Sequence, residues 1–208
     1  MIRFSTKPVS TLIQLTWLFA FVVHPAPELD AQHLDYYVYL NGKSVGSLKA
    51  DRNARDGLAH YLIESRADFR FVFKISTDYT FETTYQNGML TKASTKNVVN
   101  DEVRGTSKVT WNGTHYLVET KEERSVLKSA RITYSMVSLY FTEPKLIRQV
   151  FSERYAKFLP IRSVGEHRYE LDLPDGKKNY YTYANGFCQL VEAGHRLGKI
   201  TFKLTGVK

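Results

Sequence analysis

The sequence predicts an all-β fold, a strongly curved antiparallel meander of about 10 to 12 strands with one or two short helices. Three observations predict it: repeated Asn-Gly pairs, a long alternation of apolar and polar residues, and many aromatic side chains. The 208 residues include 14 Tyr and 12 Phe, and aromatic residues are enriched in strands. Residues 32–208 are expected to form a single β-rich domain, shaped as a half-barrel or an open barrel.

The first 31 residues have the pattern of a secretory signal peptide. Arg3 and Lys7 give a basic start. The mostly apolar residues 12–23 that follow are too few to span a bilayer, which needs roughly 20. Ala31 is the expected cleavage point, and the sole cysteine of the chain, Cys188, is far from it. The sequence therefore predicts a periplasmic or secreted protein that is not a lipoprotein, with an uncleaved membrane anchor as the alternative.

Four Asn-Gly pairs are expected to form the tight turns of β-hairpins. Both central residues of a type I′ turn have positive φ, which Asn tolerates and Gly adopts freely. The pairs are Asn41-Gly42, Asn87-Gly88, Asn112-Gly113 and Asn185-Gly186, and Pro174-Asp175-Gly176 fits a longer hairpin loop. Strands are expected on both sides of each turn, which makes the fold a mostly local meander.

The register around the last Asn-Gly turn assigns a role to the cysteine. A two-residue turn at Asn185-Gly186 places Tyr181, Tyr183, Cys188 and Leu190 on one face. Free cysteine is among the most buried residue types and packs as a small hydrophobe. Cys188 is therefore predicted to be a core residue rather than a reactive thiol.

Residues 69–85 carry the clearest alternation in the chain. The odd positions are mostly aromatic or aliphatic and the even positions mostly polar, which is the period of a half-buried strand. A flat strand of this length would span about 56 Å at roughly 3.3 Å per residue, longer than a domain of this size is wide. The strand must therefore coil or break, and residues 76–78 are the expected place.

The alternation fails between residues 134 and 158. Five apolar residues fall at helical spacing there, namely Leu146, Ile147, Val150, Phe151 and Tyr155. Thr142-Glu143-Pro144 is a reasonable helix start, whereas residues 134–141 fit a strand or a short helix. The expectation is one or two short helices that plug or flank the sheet.

Three segments carry a resemblance to a known family: YVYLNGKSVGSL at residues 37–48, FSERYAKFLP at 151–160 and HRYELDLPDGKKNYYTYANG at 167–186. They resemble a family of exported bacterial proteins of the Bacteroidetes type, whose domain has no assigned function. More distantly, the chain is similar to periplasmic all-β proteins, some with curved sheets like those of lipoprotein carriers. The resemblance implies an exported, sheet-rich fold and implies no reaction, cofactor or site residue.

Motifs for catalysis or metal binding are not found in the sequence. There is no nucleophile elbow, zinc-binding helix or phosphate-binding glycine loop, and the histidines are scattered. Glu166, His167, Glu170 and Asp172 are interpreted as surface ion pairs rather than an acid–base site. No catalytic residue, metal ligand or cofactor is predicted, and the interpretation leans away from an enzyme.

Charge is concentrated in the second half of the chain. The net charge is +8, of which residues 121–208 carry +7. In an exported protein the available anionic partners are a lipid or membrane surface, an anionic glycan or an acidic protein, and not nucleic acid. A solvated basic face that only aids solubility is the favoured interpretation.

A candidate ligand site follows from the register around Asn87-Gly88. With a two-residue turn, Thr83 pairs with Lys92 and Tyr79 with Lys96, which places both lysines on the aromatic face. Ammonium groups on an apolar surface are costly unless they contact water or an anion. The predicted ligand-binding residues are Phe71, Phe73, Tyr79, Phe81, Tyr85, Lys92 and Lys96. The favoured interpretation of the two lysines is nevertheless that their stems cover the rings at a sheet rim, where the ammonium groups contact water.

Three classes of function remain after the sequence is considered. The favoured one is an exported envelope protein, a non-enzymatic binding or scaffold module for an amphipathic, lipid-like anion. The others are a small outer-membrane β-barrel and a periplasmic hydrolase without a recognised motif. The identity of the ligand and the oligomeric state are not determined by the sequence.

Overall fold

Fourteen β-strands of the described chain form one antiparallel sheet, accompanied by one short helix, α1 (Ser138–Phe141). The computed structural model describes residues 30–70, 73–128, 131–195 and 198–208, so the predicted signal peptide lies outside the described residues except for its last two positions. The strands are β1 (Asp30–Leu40), β2 (Lys43–Arg55), β3 (Leu58–Arg70), β4 (Lys74–Gln86), β5 (Met89–Val99), β6 (Glu102–Trp111), β7 (Tyr116–Thr120), β8 (Arg124–Leu127), β9 (Gln149–Ser152), β10 (Lys157–Gly165), β11 (Arg168–Asp172), β12 (Lys178–Ala184), β13 (Phe187–His195) and β14 (Gly198–Val207).

The strand order makes the sheet a continuous meander. It runs β8-β7-β6-β5-β4-β3-β2-β1-β14-β13-β12-β11-β10-β9 from one edge to the other. Each strand pairs with its neighbours in sequence, except that β8 and β9 do not pair, and β1 also pairs with β14 and thereby joins the two halves. The sheet is open, because β8 and β9 are its two edges. The predicted all-β meander and open-barrel shape are confirmed, with 14 strands in place of about 10 to 12.

Residues 131–148, here called the crossing segment, connect the two edges of the sheet and include α1. Three of its buried residues belong to different core clusters: Ile132 packs with β4–β7, Val137 with β1–β3, and Leu139 with β9–β13. A segment that contacts strands from both halves lies on the concave side of the sheet. The predicted plug is therefore present, and it packs against strands of both halves of the sheet.

The two edges of the sheet are brought together by side chains. Ser107 of β6 donates a hydrogen bond to the carbonyl oxygen of Glu153, which follows β9. Phe151 of β9 belongs to the same core cluster as Tyr116 and Val118 of β7. The interior is thus enclosed although the edge strands do not pair.

Most predicted turns are confirmed by positive φ angles. Both residues of Asn41-Gly42, Asn87-Gly88 and Asn185-Gly186 have positive φ, as has Gly176 in the loop between β11 and β12. Asn112-Gly113 differs: its loop has four residues, because the Asn112 Oδ1 accepts hydrogen bonds from the backbone N–H groups of Thr114 and His115 at 3.0 Å each. A side chain that bonds its own backbone in this way stabilises a wider turn.

β-Bulges shift the register beside three of the Asn-Gly turns, Asn41-Gly42, Asn87-Gly88 and Asn185-Gly186, and make part of the predicted pairing wrong. Each bulge adds one residue to one strand. After the bulge at Thr182/Tyr183, Tyr181 pairs with Val191, so Val191 rather than Leu190 shares the buried face with Cys188. Cys188 itself is a core residue as predicted, and burial raises the pKa of its thiol to about 12.

Two predicted elements in the long alternating and helical stretches are wrong. The alternating run breaks between β3 and β4, which pair as a hairpin beyond Phe69 and Ile75, and not at residues 76–78. The helix expected after Thr142 is absent: Val150 lies in β9 paired with Leu159, and Leu146 is exposed. Pairing with β10 outweighs the helical spacing of these apolar residues, whereas α1 forms earlier, at Ser138–Phe141.

Candidate functional site

A cavity of about 410 Å³ lies between the sheet and the crossing segment. Strands β2–β4 line one side of it and β12–β14 line the other. Small-molecule sites typically have volumes of roughly 300–1,000 Å³ and mostly apolar walls. The cavity is therefore the candidate ligand site.

The walls are apolar because inward positions of the strands alternate with outward polar ones. The inward side chains that face the cavity include Leu48, Ile63, Phe81, Val191, Ile200 and Phe202. Phe81 stacks on Tyr79, with ring centroids 6.5 Å apart and an interplanar angle of 15°. Burial of apolar ligand surface against such walls is favourable by roughly 25 cal/mol per Å².

The crossing segment supplies the floor of the cavity with Met136, Val137 and Tyr140. The ring of Tyr140 packs edge-on against that of Tyr36, with centroids 5.5 Å apart. Burial raises the pKa of the Tyr140 hydroxyl well above its ordinary value. The hydroxyl therefore stays neutral at physiological pH and can act as a hydrogen-bond donor at the cavity floor.

A buried carboxyl group holds the floor in place. Glu153 is fully buried, and its two carboxyl oxygens accept hydrogen bonds from the backbone N–H groups of Met136 and Val137 at 3.2 and 3.3 Å. Burial raises the pKa of Glu153 above its usual range. The Met136 N–H also donates to the carbonyl oxygen of Phe151 at 2.9 Å, whereas Glu153 is the acceptor for the Val137 N–H. Glu153 therefore helps to fix the backbone that carries the cavity floor.

Arg154 provides a positive charge at the mouth of the cavity. Its guanidinium lies 5.2 Å from the ring centroid of Tyr155 and 5.8 Å from that of Tyr79, both within cation–π range. None of the ion pairs between described residues includes Arg154. Lys177, also at the mouth, is instead paired with Asp175, which leaves Arg154 as the mouth cation that can receive an anion.

A second, smaller pocket of about 290 Å³ adjoins the cavity at Arg154. The two spaces share Tyr79, Phe81, Arg154 and Tyr155. The smaller pocket is more polar, and its charged side chains include Arg104 and Glu122. An apolar space and a charged space are thus joined through one arginine.

The structure separates the predicted aromatic site residues. Tyr79 and Phe81 line the cavity. Tyr85 is 5% exposed and sits deeper in the core, where its hydroxyl donates to the Ser135 Oγ at 2.6 Å. Phe73 is 73% exposed at the start of β4 and does not line the cavity, and Phe71 lies outside the described residues. A ligand-binding role for Tyr79 and Phe81 stays a prediction.

The predicted placement of Lys92 and Lys96 on the aromatic face is wrong. A bulge at Thr84/Tyr85 pairs Lys92 with Thr84 and Lys96 with Thr80, not with Thr83 and Tyr79. Directly opposed residues point to the same side of a sheet, so both lysines share the outward face of the even-numbered residues. Lys96 is nevertheless among the residues that line the smaller pocket with Tyr79 and Phe81, whereas Lys92 is not. The cation beside Tyr79 is Arg154 instead.

The sequence does not indicate Arg154 as a site residue, because the apolar spacing of its segment predicts a helix. It lies in the turn between β9 and β10, after the buried Glu153 and before Tyr155. The only sequence feature that marks it is the charged pair Glu-Arg between the apolar residues Phe151 and Phe158. Nothing in the sequence relates that pair to Tyr79, which lies 75 positions earlier.

The predicted ion pairs are present, since His167 lies 3.9 Å from Glu166 and both Glu170 and Asp172 pair with basic side chains, but Glu170 is buried and not at the surface. His167 Nδ1 lies 3.0 Å from Glu143 Oε1, an atom that also accepts a 2.7 Å hydrogen bond from Tyr169. Glu170 pairs with Lys178 at 2.6 Å. These contacts tie the crossing segment and the outer strands together. Over the described ranges, no group of three or more His, Cys, Asp or Glu side chains is placed to hold a metal ion.

Fold and cavity together define a class of protein: a single curved, barrel-like antiparallel sheet that encloses a cavity against its own connecting segment. In the part of the chain that the structure describes, no helix is both long and apolar enough to cross a membrane.

The chain belongs to the family of the domain of unknown function DUF6134, whose model matches residues 36–205. No curated protein matches it. A similar solved structure is the beta-barrel-like protein of domain of unknown function DUF1849 from Brucella abortus. The match has 11% identity and a TM-score of 0.56, and it covers 88% of this chain and 99% of the other. At this identity the similarity shows the fold alone.

Proposed function

We propose that this protein is a non-enzymatic binding module for an amphipathic, lipid-like anion. The observation that carries the proposal is the juxtaposition of an apolar cavity of about 410 Å³ with the unpaired guanidinium of Arg154 at its mouth. The apolar body of the ligand lies among the rings and aliphatic side chains. Its acidic group contacts Arg154, and the Tyr140 hydroxyl is available to a polar atom deeper in the cavity.

Charge and burial favour this class of ligand over a purely apolar one. An arginine that is already stacked on Tyr155 and Tyr79 is held near the opening, so little conformational entropy is lost when it contacts an anion. A hydrogen bond to a charged group contributes about 1.5–3 kcal/mol, which is roughly 10- to 150-fold in affinity. An alcohol of the same chain length forgoes that contribution.

Export is the second part of the proposal. The basic start and short apolar run of residues 1–31 support a cleaved signal peptide, and a carrier of amphipathic molecules fits the cell envelope. The test is N-terminal sequencing of the protein recovered from the periplasm or medium. The proposal expects a start near Gln32, whereas exported material that begins at Met1 contradicts it.

Calorimetric titration with dodecanoate and with dodecanol tests the binding function. Ala193→Trp places a bulky ring in the cavity and is expected to weaken binding of both by more than about tenfold. Leu117→Trp, on the exposed face of β7, is the matched control and should bind as the parent does. Arg154→Gln should weaken dodecanoate about tenfold or more and leave dodecanol unchanged.

Two results contradict the binding function. One is the absence of binding of either molecule to the parent protein. The other is equal binding by the Ala193→Trp variant and the parent, with circular dichroism showing that both are folded. The first result excludes this ligand class and the second excludes the cavity as the site.

A further inference from the structure

We infer that the acidic head of the ligand is a phosphate monoester and that it occupies the smaller pocket beside the cavity. The inference rests on the proposed function, since the apolar chain is assigned to the larger cavity. The two spaces share Arg154, Tyr79 and Phe81, so one molecule can extend from one into the other.

The charges of the smaller pocket match a phosphate better than a carboxylate. Three cationic residues line it, namely Lys96, Arg104 and Arg154, and Glu122 is the acidic residue among its lining side chains. A phosphate monoester carries about −1.5 to −2 charges near neutral pH and three acceptor oxygens. Two guanidinium groups, each able to donate a pair of parallel hydrogen bonds, can be satisfied by one phosphate, whereas a carboxylate has two oxygens and one charge.

Arg104 can be recruited at small cost. It pairs with Glu102 at 2.8 Å, but both side chains are more than half exposed. Exposed ion pairs typically contribute only about 0–1 kcal/mol. Exchange of Glu102 for a phosphate oxygen is therefore favourable, because the phosphate offers more charge and an additional contact to Arg154.

An unsatisfied acceptor in the same pocket calls for a ligand that also donates. The Oδ1 of Asn97 is buried and has no hydrogen-bond partner among the described residues, and Asn97 lines the pocket. Buried polar atoms are nearly always satisfied. The donor belongs to the monoanion of the phosphate monoester, which is the minor form at neutral pH and becomes the major form below the second pKa of about 6. A carboxylate has no proton to donate.

The test is calorimetric titration with dodecyl phosphate, dodecanoate, dodecanol and inorganic phosphate. The parent protein is expected to bind dodecyl phosphate at least about tenfold more tightly than dodecanoate, in line with one additional charge-assisted hydrogen bond. Arg104→Gln should remove that difference and leave dodecanoate binding unchanged. Lys108→Gln, an exposed position on the same strand, is the matched control and should keep the preference.

The outcomes distinguish this inference from the proposed function. If dodecanoate and dodecanol bind but dodecyl phosphate binds no more tightly, the inference is wrong and the proposed function stands. If Arg104→Gln keeps the full preference, the head is not in this pocket. If inorganic phosphate binds as tightly as dodecyl phosphate, the pocket is a site for free anions, the alkyl chain of the ligand contributes nothing to binding, and the inference is wrong. If none of the three amphiphiles binds, both proposals fall.

Discussion

The hydroxyl of Tyr183, on β12, donates a hydrogen bond of 2.7 Å to the carbonyl oxygen of Leu139 in helix α1. Two tyrosines of the other half of the sheet contact the same segment. Tyr85 donates to the Ser135 Oγ at 2.6 Å, and Tyr116 accepts a hydrogen bond from the backbone N–H of Ile132 at 3.2 Å. Hydroxyl groups from both halves therefore hold the crossing segment and, with it, the floor of the cavity.

Tyr183→Phe is expected to lower the free energy of unfolding by about 1–3 kcal/mol, because it leaves the buried Leu139 carbonyl without its partner. Chemical denaturation of the full chain measures this loss. Tyr37→Phe removes a hydroxyl from a side chain that is 53% exposed and should change stability by less than about 0.5 kcal/mol. Equal losses of unfolding free energy in the two variants would show that the hydrogen bond between Tyr183 and Leu139 contributes nothing to stability.

Gly46→Ala is expected to destabilise the sheet. A Cβ atom at Gly46 would lie 1.9 Å from the backbone carbonyl oxygen of Arg66 and 2.7 Å from the Cα of Ala67, so β2 and β3 would have to separate. The expected loss is about 1–3 kcal/mol of unfolding free energy, as for other overpacked positions. Gly105→Ala, where a Cβ meets nothing within 4 Å, is the control. Comparable stability of the two variants would contradict the close approach of β2 to β3.

His33 is expected to make stability depend on pH above neutrality. Its ring nitrogens lie 2.6 Å from Asp51 and 3.0 Å from Asp35, and the hydrogen bond to Asp51 is the main reason that its pKa is raised above 6.5. The stabilisation is complete below the pKa of the unfolded chain and is lost as the pH rises through the folded-state pKa.

The measurement is the difference in unfolding free energy between the parent protein and His33→Gln. This difference should decrease as the pH rises from about 6 to about 9. The pKa of Asp35 is lowered, so its contribution is lost only in acid and does not overlap this range. A pH-independent difference would contradict the charged His33 pairing.

Glu153 is expected to change stability with pH because its proton is held more tightly in the folded state. Burial raises its pKa above 4.5 in the folded state, so the folded protein holds its proton to higher pH than the unfolded chain does. Stability therefore falls as the pH rises from the unfolded-state pKa through the folded-state value. Relative to the parent, Glu153→Gln should become steadily less destabilising as the pH rises from 4.5 through the folded-state pKa of Glu153. A difference in unfolding free energy between the two proteins that does not change with pH would mean that Glu153 ionises as easily as an exposed carboxyl group.

The class of fold can be predicted from the sequence because the patterns that determine it are local. Asn41-Gly42 and the alternation around Tyr79 and Phe81 each depend on neighbouring residues only. The placement of Lys92 could not be predicted, because one extra residue in a bulge moves the side chains beyond it to the opposite face of the sheet. Bulges carry no clear sequence pattern, so a register deduced from turns alone fails beyond the first irregularity.

The candidate site was only partly predictable for a different reason. Tyr79 and Phe81 follow from strand periodicity, but their partner Arg154 reaches them through the packing of β9 and β10 against the other half of the sheet. The cavity floor depends on Glu153 bonding to the backbone of Met136 and Val137. Contacts between distant segments of this kind have no periodicity that a single sequence could reveal.

A crystal structure of the protein in complex with dodecanoate tests the central claim most directly. The expected result is electron density for the alkyl chain of dodecanoate inside the cavity, between Phe81 and Phe202 and above Tyr140. The carboxylate should lie within hydrogen-bond distance of the Arg154 guanidinium. Density for the chain on the outer face of the sheet, or a cavity that stays free of ligand at saturating dodecanoate, would contradict it.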